Sequence, residues 1–170
     1  MDGIDFNKLW KNYVDTITNH YADFNGRIGR AQFWYYVLIY FGTGLLVSII
    51  DTLSIHGGLR ALYGVALFLP SVGITARRLH DIGRPGTWAW LLAVPVLATI
   101  ITFLFWLVTI VTLGIGGILF VLSPLISLAA FAAIAVLVYF CAQPGQADSN
   151  TYGPVPPIWS PGAAPPAAKA

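Results

Sequence analysis

The chain has 170 residues, 57% of them hydrophobic and only 9% charged, whereas an ordinary soluble domain is about 25% charged. A net charge of +2 gives no broad basic surface for nucleic acid, and the single cysteine, Cys141, excludes an internal disulfide and a multi-cysteine metal centre. This composition predicts an all-α integral membrane protein, with four transmembrane helices behind an N-terminal amphipathic interfacial helix.

In residues 4–24, Phe6, Leu9, Trp10, Tyr13, Val14, Ile17, Tyr21 and Phe24 recur at helical spacing. Lys8, Lys11, Asn12, Asp15 and Asn19 fall largely on the opposite side. An amphipathic helix of this kind either lies in the membrane interface or packs on the protein's own cytoplasmic loops. Asn25-Gly26 is its expected end. The polar character of the first thirty residues gives no sign of a cleavable leader.

"GRIGRAQFWYY" follows, with Arg27 and Arg30 ahead of four aromatics, the pattern of a headgroup region giving way to hydrocarbon. The first span is expected at residues 33–50 and the second at 61–76. Sixteen residues make roughly 24 Å of helix, short for a bilayer, so Arg60 and Arg77 are expected to snorkel outward from its ends. The second helix should run on to Ile82 and stop at Gly83. Residues 88–142 carry no charge, and "TLGIGG" at 112–117 divides them into spans at 88–111 and 118–141, with Pro95 and Pro124 as bends. Residues 1–157 form one membrane domain, and 158–170 read as a flexible Pro/Ala-rich tail.

With four spans, Lys8, Lys11, Arg27, Arg30, Arg77, Arg78, Arg84 and Lys169 lie on one side and Arg60 alone on the other. The positive-inside rule then puts both termini in the cytoplasm. It also accounts for part of "RRLHDIGRPG" at 77–86, where Arg77, Arg78 and His80 complement a helix C-terminus. Asp81 is left to pair with Arg77, Arg27 or Arg30, either as a lock on the N-terminal segment or as part of a site.

No charged residue falls at the centre of a span, as ion-coupled carriers usually require, although Pro70, Pro95 and Pro124 permit broken helices. His80-Asp81 has no nucleophile beside it and too few partners for a metal. No catalytic residue, metal site or cofactor is expected, and the chain does not read as an enzyme. Clustered arginines beside glycines suit an anionic phosphate, and a basic pocket at the cytoplasmic span ends suits an acidic phospholipid headgroup. The alternatives are a membrane adaptor that docks a cytoplasmic protein, or a small oligomeric channel or transporter.

Three motifs, "FNGRIGRAQFWYY" at 24–36, "RRLHDIGRPGTWAWLLAVP" at 77–95 and "NTYGPVP" at 150–156, resemble in order and context the domain of unknown function 805 family, the YhaH/YhaI-like inner-membrane proteins. The resemblance covers most of residues 6–157. It implies a bacterial inner-membrane location and no established activity. The apolar region between Pro95 and Gln143 is longer than in the shortest members. By the four-span topology all three motifs face the cytoplasm. The expected anion or lipid patch is therefore Arg27, Arg30, Arg77, Arg78, His80, Asp81, Arg84, Asn150 and Tyr152. Its expected partners are acidic phospholipid, with a protein partner or a second copy as alternatives, and no nucleic acid.

Overall fold

The structure, a computed structural model, describes residues 6–54, 58–112 and 122–156. Among them there is no strand, only an isolated bridge between Asn150 and Gly153. The elements are α1 (Phe6–Thr18), α2 (Arg30–Leu53), α3 (Leu59–Asp81), a 3-10 segment (Gly86–Leu92), α4 (Ala93–Val111) and α5 (Ser123–Ala142). Four stretches are long and apolar enough to cross a membrane: Arg30–Leu53, Leu59–Asp81, Gly86–Val111 and Ser123–Ala142. The start of the expected fourth span, the 112–117 turn beyond Thr112 and the tail at 158–170 lie outside the described residues.

α3 is the centre of the bundle. Residues 72–79 are all buried, and they divide two apolar clusters. Leu9, Tyr13, Ile28, Phe33, Tyr36 and Ile74 join α1 and α2 to one side of α3. Val72, Ala76, Leu79, Ala89, Leu137 and Phe140 join the 3-10 segment and α5 to the other. α4 buries none of its residues, and Ile100, Phe103, Leu107 and Val111 stand exposed, as on a helix whose solvent is hydrocarbon.

Several expected boundaries move, each for a local reason. The first helix stops at Thr18, short of Phe24. The Asp15 carbonyl accepts both Asn19 N–H (2.9 Å) and His20 N–H (3.3 Å), while the Asn19 amide bonds the Asp15 carboxylate at 2.8 Å. Such side-chain bonding competes with helix continuation. Tyr21 then ties the chain to α3 through the Ala66 carbonyl at 2.6 Å. The third span is helical from Gly86, but 86–92 is 3-10, and α4 proper begins at Ala93. Pro124, expected as a bend, opens its helix, where the missing N–H would have had no partner, and Pro95 lies just after the change from 3-10 to α geometry at Ala93.

α3 ends as expected. Gly83, at φ 76°, sits in the left-handed position after the Ile82 cap. Its N–H bonds His80 O (3.0 Å), and Arg84 N–H bonds Leu79 O (2.9 Å), the paired closure that satisfies the last carbonyls of a helix.

Candidate functional site

The three motifs meet at one end of the bundle, around Asp81. Arg27 approaches from the segment before α2, Arg78 from the last turn of α3, and residues 143–153 wrap over both after α5. Arg27 uses every donor it has. Nε and Nη2 donate to Asp81 Oδ1 at 3.2 and 3.0 Å, Nη1 to the carbonyls of Asp148 (2.8 Å) and Gly153 (3.2 Å), and Nη2 also to the carbonyl of Gln146 (2.8 Å). Arg78 donates to the other carboxylate oxygen of Asp81, to the Cys141 carbonyl at 3.1 Å and to the Gln143 carbonyl. All three side chains are withdrawn from solvent, at 1% exposure for Arg27, 0% for Arg78 and 4% for Asp81.

Two cations on one carboxylate leave a buried surplus of positive charge. Carbonyl oxygens from 141–153 answer it, and those at the end of α5 carry the negative pole of that helix. Such a network is worth little against an apolar replacement, but it is costly to break by removing one member. It joins residues 27, 81 and 146–153 at one point, since Arg27 bonds the Asp81 carboxylate and the carbonyls of Gln146, Asp148 and Gly153 together. Gly145 makes the close approach possible, because a Cβ there would collide with the Asp81 carboxylate.

Around this clasp, Asn150 Nδ2 donates to the His80 carbonyl (2.8 Å) and to Gln146 Oε1 (2.7 Å). The Tyr152 ring stacks on His80, 3.9 Å between centroids and 3° from parallel. His80 Nδ1 lies 3.0 Å from the Gly26 carbonyl, which requires the tautomer protonated at Nδ1 or the imidazolium. Arg84 lies over the Phe140 ring at 4.0 Å.

Arg77 does not join the clasp. It faces the 19–25 loop, 3.8 Å from Asp23, with Nε buried and unpartnered. The loop backbone passes so close to α3 that a Cβ on Gly73 would stand 2.9 Å from the Asp23 carbonyl oxygen. Burial works against the Asp23 carboxylate, but the Asn25 N–H, His20 and the Arg77 guanidinium outweigh it and hold its pKa below the ordinary value.

Arg30 is the most open arginine of the three motifs, since Arg84, which also makes no hydrogen bond or ion pair among the described residues, is half-buried over Phe140. It is exposed, opens α2, and makes no hydrogen bond or ion pair among the described residues. The expected nearness of Arg27 or Arg30 to Asp81 and the 150–154 segment is met by Arg27 alone. Sequence reasoning missed Gly145, Gln146, Asp148 and Asp23. Gly145, by its missing Cβ, and Asp148, by its carbonyl, act through the backbone alone, and Gln146 does so in part; such roles leave no residue-type signature. Among the described residues no group of three His, Cys, Asp or Glu side chains is arranged to hold a metal.

Four apolar spans closed at one end by a buried Arg–Asp–Arg clasp define a multi-pass membrane protein whose three motifs form an internal fastening. The family model "Protein of unknown function (DUF805)" matches residues 21–154, which include all three motifs, and the chain belongs to that family. Inner membrane protein YhaI of Escherichia coli (strain K12) is 34% identical over 98 residues, covering 55% of this chain and 80% of that protein. Inner membrane protein YhaH of the same strain is 30% identical over 99 residues, 55% of this chain and 81% of that one. The uncharacterized protein YiiR is 38% identical over 80 residues, 46% and 55% respectively. No solved structure matches the chain. With its four spans, this kinship makes the chain a multi-pass inner-membrane protein.

Proposed function

We propose that the protein holds the phosphate of an anionic lipid headgroup at the motif-bearing end of its bundle, and that this end faces the cytoplasm. Lys8, Lys11, Arg27, Arg30, Arg77, Arg78 and Arg84 belong to this end and Arg60 to the other, which favours a cytoplasmic placement. α1 then lies at the interface, with Lys8, Lys11, Phe6 and Trp10 exposed while Leu9, Asn12, Tyr13 and Thr16 are buried against the bundle.

The observation that carries the reading is Arg30: an exposed, unpartnered guanidinium beside a clasp in which Arg27 has no donor left. The first N–H groups of α2 point the same way, with no side-chain cap to occupy them. Arg27, Arg78 and Asp81 act as scaffold in this reading, with Asn150, Tyr152 and His80 bracing it. Arg30 supplies the main contact and Arg84 stands as an auxiliary charge. Arg77 belongs to the loop dock. An adaptor reading would rest on the exposed Phe6 and Trp10 instead.

Native mass spectrometry of the purified protein tests this. A charge-assisted hydrogen bond contributes about 1.5–3 kcal/mol, so Arg30→Gln should weaken retention of anionic phospholipid about tenfold or more while zwitterionic lipid is unaffected. Unchanged retention in Arg30→Gln would reject the site. Lipid retention kept in Arg30→Gln, together with a co-purifying protein lost in Phe6→Ala and Trp10→Ala, would favour the adaptor.

A further inference from the structure

Between α2, α3 and α5 runs a narrow groove of about 180 Å³ whose lining includes Trp34, Val37, Phe41, Ile134, Leu137 and Val138. α2 and α5 meet at few points, so the groove opens sideways between them. No charged side chain lines it. Three of its hydroxyl-bearing residues are satisfied internally: Tyr36 Oη pairs with Ser71 Oγ at 2.9 Å, and Thr75 Oγ1 donates to the Ser71 carbonyl at 2.7 Å. An occupant therefore needs to offer those groups no hydrogen bond. A hydrocarbon chain meets that requirement.

Arg30 does not itself line the groove, but it opens α2, the helix that gives Phe33, Trp34, Val37 and Phe41 to the lining. It shares a face of α2 with Phe33, Trp34, Val37 and Phe41, at spacings of three, four, seven and eleven residues. Arg78, from the last turn of α3, bonds the carbonyl of Cys141 through Nε at 3.1 Å, and Cys141 lines the groove. A free cation at the start of α2 and an apolar furrow along the same face of that helix match a molecule with an anionic head and an acyl tail.

We infer that the groove between α2, α3 and α5 is the acyl-chain half of a single lipid site, in which an anionic phospholipid places its phosphate on Arg30 and one acyl chain along Trp34, Val37, Phe41 and Val138. The inference rests on the headgroup reading above and extends it by assigning the ligand an acyl chain, which separates a lipid from a free phosphate ester of the same head chemistry.

The test uses the full chain in vesicles of phosphatidylcholine that contain a small fraction of phosphatidylglycerol bearing a photoreactive diazirine at mid-chain. Adducts are mapped by peptide mass spectrometry. Adducts should concentrate on residues 34–41 and 134–138, fall at least fivefold when unlabelled phosphatidylglycerol is added, and resist soluble glycerol phosphate. Ile134→Trp, which fills the groove, should abolish these adducts. Arg30→Gln should remove the preference for phosphatidylglycerol over an equally labelled phosphatidylcholine.

Adducts spread evenly over the exposed faces of α4 and α5 in the wild type would overturn the groove, with or without the variants folding. So would a groove closed by a second copy, seen as missing adducts together with a dimer in native mass spectrometry. Groove adducts that survive in Arg30→Gln with no change of headgroup preference would leave the groove standing and reject the headgroup reading. Displacement by soluble glycerol phosphate would show that the head is held without the chain, and would also overturn the proposal.

Discussion

Arg27 and Arg30 sit three residues apart in "GRIGR", yet the fold gives them opposite roles. Arg27 lies before α2 begins, free of helical geometry, and its planar fork can serve one carboxylate and three carbonyls at once. Lysine has a single point of charge and cannot reproduce that arrangement, so Arg27→Lys should destabilise nearly as much as Arg27→Gln in thermal unfolding in detergent. Full rescue by lysine would mean that charge alone matters. Gly145→Ala brings a methyl group into the Asp81 carboxylate, and overpacking of this kind costs about 1–3 kcal/mol. The same measurement should show that loss, and an unshifted midpoint would mean that 143–153 does not lie against Asp81. The charged members of the clasp were legible as residues that needed partners. Their neutral partners were not, because a backbone carbonyl looks the same under any side chain.

At the scale of elements, the spans were readable because hydrocarbon imposes length and apolarity on them, and α3 ends at the Gly83 signal. The end of α1 was not readable. The apolar spacing through Tyr21 and Phe24 continues a helical pattern, but those side chains contact α3 and its neighbours from a turn. Pro124 misled for a related reason: in a long apolar run, a bend and a helix start leave the same mark. The 19–25 loop is held to α3 by the Gly73 approach and by Asp23. A Cβ at Gly73 would press on the Asp23 carbonyl, so Gly73→Ala should speed proteolysis between α1 and α2. Equal cleavage rates would place the loop elsewhere. Asp23 has a folded pKa below its unfolded value of about 3.9, so its stabilising contribution is present above that value and is lost as pH falls through the folded one. The difference in thermal midpoint between wild type and Asp23→Asn should be full at pH 6 and vanish on acidification past the carboxylate range. A difference that persists there would show that the charge of Asp23 is not what holds the loop.

Across the whole molecule, the segment before α2, the end of α3 and the segment after α5 lie together, so the chain returns to the same end after its second and its fourth spans. On the orientation proposed above, a reporter joined after residue 156 should be active only in the cytoplasm, and periplasmic activity would reverse that orientation. The three motifs were recognisable in the sequence as a set, and their meeting follows from alternate crossing. The groove beside them was hidden, since it depends on how far apart two helices stand. The clasp is tested most directly by a double-mutant cycle of Arg27→Gln and Asp81→Asn, read by thermal unfolding in detergent. The singles should each destabilise, Asp81→Asn by about 3–5 kcal/mol because it leaves two buried cations, and the pair should couple by about 0.5–3 kcal/mol. Additivity within about 0.3–0.5 kcal/mol would mean that the two residues do not interact, and would contradict the clasp.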